Sequence, residues 1–354
     1  MLYKFKIISL VLVLFLSICI AQPTFVFLKK AYLGNEIWQD SIKIKIENGI
    51  VQEITNFDSI PKYGDFLDLS TMTALPGLVF PLKNIDLDTS FNTVKFIEID
   101  KINYDWSKKI KHSNIGICTY LCYSLNAKDQ ISTLKIYPEL NISISPIGIT
   151  INEFDPFALL AIDSRIRSYG EFLINDYADT IDVQHFVDYK MNNLLLKNLF
   201  EEMPIYLIIN EQKQIENLMK RFSQFQINYI VTYELLDKIP DSINHFISAV
   251  LFKNAKEYAN YLNKVTKAER DKHIPILKDY SDWNSILVTI KKQSDKERFI
   301  DVMTSIPAGF FRINEHYGEI KIGKRANMLF FSSNPFNEKK DIVSIMINGK
   351  IIIE

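Results

Sequence analysis

Histidine is scarce in this chain of 354 residues, which holds only His112, His185, His245, His273 and His316. No two of them lie within ten residues of each other, so no metal motif can rest on a local histidine pair. Cysteine is scarcer still, at three. Cys19 sits in the N-terminal apolar run. That leaves Cys118 and Cys122, four apart in an apolar stretch, with no second Cys or His pair nearby to complete a tetrahedral site. They read as two buried thiols, with a disulfide permitted in an oxidising compartment. There is no Gly-x-Ser-x-Gly elbow and no phosphate-binding glycine loop. Excess charge of either sign is also missing: 41 Lys and Arg stand against 42 Asp and Glu. That balance gives no electrostatic case for nucleic acid or for an acidic membrane surface.

What is present is the composition of a globular protein, 47% hydrophobic and 23% charged. The length suits two ordinary domains, or one barrel-sized domain with an appendage. Residues 1–21 have the layout of a secretory signal peptide. Lys4 and Lys6 form a basic start, Ile7 to Ile20 is an apolar run, and Cys19 and Ala21 are small residues at −3 and −1 before Gln22-Pro23. The run falls short of the roughly 20 residues of a helical membrane span. An uncleaved N-terminal anchor is the alternative. A lipoprotein signal through Cys19 is disfavoured by the bulk of Ile18. The sequence therefore predicts export, to a periplasmic or extracellular location.

Both ends of the remaining chain read as β-structure. Ser41 to Ile46 alternates apolar and polar residues, Asn48-Gly49 supplies a hairpin turn, and Ile50 to Ile54 returns. Thr24 to Leu28 precedes them and Asp65 to Leu69 follows, leading to Pro76-Gly77-Leu78. Near the C-terminus, Asn327 to Phe331 forms an apolar strand, and Ser344 to Ile353 is a second hairpin around Asn348-Gly349. The middle alternates short apolar runs with helical stretches, as in Ile205 to Ile209 followed by 211–224, and Ile227 to Val231 followed by a helix. That spacing predicts parallel βα units. Glu257 to Arg270 carries charge at helical spacing and reads as a solvated helix face.

Two segments resemble the amidohydrolase superfamily (imidazolonepropionase- and dihydroorotase-like members). Ile46-Glu47-Asn48-Gly49-Ile50-Val51-Gln52-Glu53-Ile54, then Asp68-Leu69 and Pro76-Gly77-Leu78-Val79, is similar to the family's opening stretch. Gly318-Glu319-Ile320-Lys321-Ile322-Gly323-Lys324-Arg325-Ala326-Asn327, then Asn334-Pro335 and Asn348-Gly349-Lys350, is similar to its closing stretch. Pro307-Ala308 stands where the family has an Asn-Pro-Ala helix end. The match is strong over 41–79 and 300–352 and faint between, although Pro204 to Phe225 looks like the fifth strand and its helix. The resemblance implies an α/β fold: a (β/α)8 TIM-type barrel over 78–317, trimmed in places, with a small β-sandwich built from 24–77 together with 318–354. Its active site would lie at the C-terminal ends of the barrel strands.

Active relatives hold one or two metal ions, zinc among them, that acidify a bound water. The resemblance places a His-x-His pair just after the Pro-Gly-Leu stretch, because alternate strand residues point the same way. Further histidines belong on strands five and six and an Asp on strand eight. Here the preceding Asp position is Phe80 and the two His positions are Leu82 and Asn84, while strand five offers Ile208, Ile209 and Asn210. Leucine and isoleucine cannot bind a metal, and an asparagine amide is a poor zinc ligand. His245, beside the apolar run Phe246 to Phe252, is the candidate surviving ligand, and Asp279 and Asp282 fall where the strand-eight Asp belongs. His185, between Asp182 and Asp188, reads as helix surface, and His112, His273 and His316 as solvated or loop residues. The expectation is a degenerate amidohydrolase-like pseudoenzyme with no bound cofactor. It would act by binding, as the partner of an active paralogue or as a module holding a small molecule in the old pocket. The alternative is a hydrolase of non-peptide carbon–nitrogen bonds with a rebuilt or absent metal site.

Overall fold

The computed structural model describes residues 24–84, 117–123, 131–137, 148–151, 204–209, 227–265, 272–278, 296–335 and 342–353. The signal-peptide reading, the helix at 211–224, His112, His185, Asn210, Asp279 and Asp282 lie outside the described residues. The first four strands are β1 (Thr24–Gly34), β2 (Ile37–Glu47), β3 (Ile50–Asn56) and β4 (Phe66–Pro76). Then come β5 (Leu78–Asn84), β6 (Ile117–Tyr123), β7 (Ile131–Tyr137) and β8 (Gly148–Ile151). β9 (Ile205–Ile209), β10 (Ile227–Thr232), β11 (Ile247–Phe252) and β12 (Ile274–Leu277) continue the series. The last three are β13 (Met328–Phe331), β14 (Ser344–Ile347) and β15 (Lys350–Ile353).

The two ends of the chain share one seven-stranded sheet, ordered β15-β14-β13-β4-β1-β2-β3. Its core face follows from the alternation in β2: Ile42, Ile44 and Ile46 are buried while Lys43 and Lys45 between them are partly exposed. Those isoleucines pack with Val26 and Leu28 of β1 and with Met328 and Phe330 of β13. Both Asn-Gly turns adopt the left-handed geometry that a two-residue hairpin requires, with φ of 53° and 75° at Asn48-Gly49 and 49° and 76° at Asn348-Gly349. The turns meet each other. A Cβ on Gly49 would lie 2.6 Å from the backbone oxygen of Asn348, so no side chain fits there.

The segment 323–327 clasps these pieces together. Val51 N–H donates to Lys324 O at 2.9 Å, Ala326 N–H to Gly49 O at 2.8 Å, and Gly349 N–H to Ala326 O at 3.0 Å. Asn327 accepts from Gly77 N–H at 2.9 Å through its carbonyl and from Asn348 N–H at 2.8 Å through Oδ1. The opening and closing stretches of the sequence are thus hydrogen-bonded to one another.

The second sheet has eight strands in the order β12-β11-β10-β9-β8-β7-β6-β5. β8 to β12 run parallel, and so do β5 and β6, but β7 is antiparallel to both its neighbours. The parallel βα reading thus holds for β9 to β12 and is corrected at β7. The connections on either side of β7, residues 124–130 and 138–147, are shorter than the dozen or more residues a parallel crossover needs, so the chain must turn back. β12 and β5, at the two ends of the order, contact each other. One face of this sheet buries Val79, Tyr206, Ile208, Ile230, Ala249, Leu251 and Ile276 in one cluster. The other buries Leu78, Leu207, Ile209, Val231, Val250 and Phe252 beneath the helices.

Five helices are described. α1 (Tyr233–Leu236) and α2 (Asp241–Asn244) are single turns between β10 and β11. α3 (Ala255–Lys264) starts at Asn254, whose side chain accepts from Glu257 N–H at 3.0 Å. It buries Tyr258, Ala259, Tyr261 and Leu262, so the charged stretch around Glu257 is the outer face of an amphipathic helix. α4 (Lys296–Met303) and α5 (Ser305–Phe310) follow β12. Ala308, Phe311, Ile313 and Tyr317 close over the inner cluster near Tyr206, whose hydroxyl donates to Phe310 O at 3.1 Å.

Candidate functional site

In an α/β sheet of this kind the chemistry gathers where parallel strands end. Phe80, Leu82 and Asn84 lie along β5, with Asn84 its last residue. The register of β5 with β6 pairs Phe80 with Tyr120 and Lys83 with Cys122, so β5 carries one extra residue between these pairs. That bulge falls between Phe80 and Lys83, in the stretch that contains Leu82. Cys118 and Cys122 both lie on β6. On β9, Ile208 is 5% exposed and belongs to the inner cluster, with Ile230 on the neighbouring β10 and Ala249 on β11 beyond it.

At two positions singled out by the resemblance, Ile208 presents a buried alkyl chain and Leu82 has no donor atom. Among the described residues, no three His, Cys, Asp or Glu side chains gather closely enough to hold a metal ion. His245, the candidate surviving ligand, has a definite place. It caps the end of α2 just before β11 begins, exposed, its ring tilted 39° against Phe246 at 3.9 Å between centroids. The start of a parallel strand is the opposite end from the one that would hold the metal. His273 likewise precedes β12, half-buried, with Nδ1 3.1 Å from Ile247 O. Burial lowers its pKa.

The residues that do stand at strand ends are charged. Glu234 follows β10 and Lys253 follows β11, and their side chains form an exposed ion pair. Lys253 N–H also donates to Glu257 Oε2 at 2.6 Å. Hydrogen bonding to Lys253 holds the Glu234 carboxyl below its ordinary range, and the same bond raises the lysine. Both groups keep their charge at neutral pH and neither is poised to exchange a proton. Sequence reading missed this pair. The position of each residue within two places of the end of an apolar strand was the available signal.

A second polar centre, also missed, links the two sheets. Asp301 on α4 is buried and accepts from Tyr32 Oη at 2.9 Å, Ser305 Oγ at 3.2 Å and Asn35 N–H at 3.3 Å. Burial raises the pKa of Asp301 and, more strongly, that of Tyr32. Three donors around one carboxylate make it a structural tie rather than an acid–base group.

The architecture is a TIM-barrel-like α/β fold. An amidohydrolase from Thermotoga maritima MSB8 superimposes with a TM-score of 0.69 at 12% identity, covering 93% of this chain and 99% of that one. A Xaa-Pro dipeptidase with bound methionine in its active site gives 0.51 at 12% identity over 94% and 100% of the two chains. The amidohydrolase eaj56179 gives 0.51 at 10% identity over 94% and 99%. No family model matches the chain, and no curated protein matches it by sequence. At these identities the likeness is one of fold. Among the described residues no helix is long and apolar enough to cross a membrane.

Proposed function

We propose that this chain is an exported amidohydrolase-fold protein that binds rather than hydrolyses. The observation that carries the reading is Ile208, a buried alkyl side chain at the strand position where the resemblance puts a metal-binding histidine. Leu82 and Asn84 on β5 support it, since neither supplies the imidazole that a zinc ion requires there. The sheet shared by the two chain ends supports a composite sandwich of 24–77 with 318–354, and the second sheet supports a barrel over 78–317. With the ion-binding groups replaced, the mouth is suited to holding a small molecule, or the fold to docking on an active paralogue. Export rests on the first 21 residues.

The test is elemental analysis of the full chain purified without chelators. Well under one equivalent of zinc, manganese or iron is expected, with no gain on dialysis against zinc. One or more tightly held equivalents would sink the proposal and favour the carbon–nitrogen hydrolase reading with a rebuilt site.

A further inference from the structure

Alternation along the start of β1 sends Val26 and Leu28 into the core of the seven-stranded sheet and leaves Phe25 and Phe27 on its other face. The strand register sets what flanks them. Phe66 of β4 pairs with Phe25, and Lys43 of β2 pairs with Phe27. The outer face of an antiparallel sheet is ordinarily wet and polar. Here it carries aromatic rings, and Phe27 is 3% exposed although it lies outside the clusters that form the core.

A pocket of about 520 Å3 opens between this face and the connection 57–65 that joins β3 to β4. Phe25, Phe27 and Phe66 form its aromatic walls. The rings of Phe57 and Phe66 meet Phe27 edge-on, at 90° and 82°, with centroids 5.2 and 5.5 Å away. Perpendicular rings make a box rather than the flat platform on which a sugar ring would lie. A box suits a compact apolar group, a phenyl ring above all, which adds a further edge-to-face contact. The volume and the mixture of aromatic lining with a few polar groups fall within the range of small-molecule sites.

Two opposite charges stand in the same lining, and neither is committed to an ion pair. Lys43 Nζ rests over the Phe25 ring, 5.6 Å from its centroid, with no carboxylate partner among the described residues. Asp65 is exposed and has no cationic partner among them. A ligand with only a positive charge would meet the Lys43 ammonium, and one with only a negative charge the Asp65 carboxylate. A ligand carrying both charges is complementary to both. The exposed cation–π contact is weak, so Lys43 can exchange the ring for a carboxylate.

Tyr63 supplies an independent observation. Its side chain lines the same pocket yet is 90% exposed, so the fold makes little use of the ring. A molecule held in the pocket gives that ring an apolar surface to cover.

We propose that this pocket binds a free amino acid with an aromatic or branched apolar side chain. Its carboxylate meets Lys43, its ammonium meets Asp65, and its side chain enters the box of Phe25, Phe27 and Phe66. The site lies on the sheet built from the two chain ends, so it is separate from the barrel mouth and from the question of a metal.

The test is calorimetric titration of the full chain with three ligands: L-phenylalanine, phenylalaninamide, which keeps only the cation, and N-acetylphenylalanine, which keeps only the anion. Saturable binding of L-phenylalanine is expected, with each blocked form about tenfold weaker or worse, the factor typical of losing a charge-assisted hydrogen bond. Lys43→Gln should remove the preference over the amide, and Asp65→Asn the preference over the acetyl form, each leaving the other preference in place. Tyr63→Ala should weaken L-phenylalanine without moving the thermal midpoint, since the ring it removes stands in water. Absence of saturable heat with L-phenylalanine overturns the proposal, and saturation by glucose in its place reassigns the pocket to a sugar. Equal binding of all three ligands overturns it too, as do charge variants that leave both preferences intact.

Discussion

Gly318 is a position where a single added methyl group should be costly. Its φ is +90°, and a Cβ would lie 2.7 Å from Ala308 Cβ, 2.9 Å from Thr304 O and 3.0 Å from Ser305 Cα. Two of those three atoms are backbone at the start of α5, so no flexible side chain can swing aside. The left-handed conformation costs an L-residue about 1–2 kcal/mol. Overpacking against fixed atoms adds about 1–3 kcal/mol. Gly318→Ala is therefore expected to destabilise the chain by about 2–5 kcal/mol. Gly323 is the internal control, with a φ of +87° and nothing within 4 Å of its Cβ, so Gly323→Ala should cost only the backbone part. Gly309→Ala, in open space on a helix, should stabilise by about 0.5–1 kcal/mol. Urea denaturation followed by circular dichroism reads all three, provided the slopes stay equal so that midpoint shifts report stability. Equal midpoints for Gly318→Ala and Gly323→Ala would refute the steric argument. Destabilisation by Gly309→Ala would show that its surroundings are not open.

Other consequences can be measured on the same material. Burial raises the pKa of Asp301 above its ordinary value of 3.8, so the folded state holds the proton to higher pH than the unfolded state. Its contribution to stability is thus full below that ordinary value and declines as pH rises through the raised one. Asp301→Asn should accordingly gain on the parent between pH 4 and pH 7 in thermal midpoint, and a loss over that range would contradict the assignment. Tyr32→Phe removes a donor from the buried carboxylate and should cost about 1–3 kcal/mol in urea midpoint, whereas Tyr233→Phe on α1 should be nearly silent. Phe311→Ala empties part of the inner cluster, where Phe311 is fully buried, and should cost about 3–5 kcal/mol. A cost below about 1 kcal/mol would mean that the cluster collapses freely around the void.

The ends of the molecule were legible because their signals are local. An Asn-Gly pair between alternating strands prescribes a hairpin from adjacent residues alone, and both such pairs adopt it. β1 proved longer than its apolar start suggested, running on to Gly34 through Lys29 and Lys30. Its pairing with β4 slips between Leu28 and Lys30, which interrupts the alternation a strand reader looks for. The reversal at β7 was not legible, since an apolar run such as Ile131 to Tyr137 carries no mark of its direction. The Tyr32–Asp301 bond joins residues 269 positions apart and has no sequence signature.

The shared sheet also sets the order in which this protein can fold. β4 pairs with β1 on one side and with β13 on the other. A chain emerging from its N-terminus can assemble β1 to β4 at once, but the outer edge of β4, Thr73 to Pro76, then has no partner until Met328 to Phe331 arrive. At ordinary rates of synthesis that wait is on the order of 10–50 seconds. For that time an apolar edge is open to any other strand, including the same edge of a neighbouring nascent chain. Pairing across so much intervening sequence is slow in any case. A truncation that removes the last strands would leave the edge open permanently. Such chains should aggregate rather than persist as a stable N-terminal fragment.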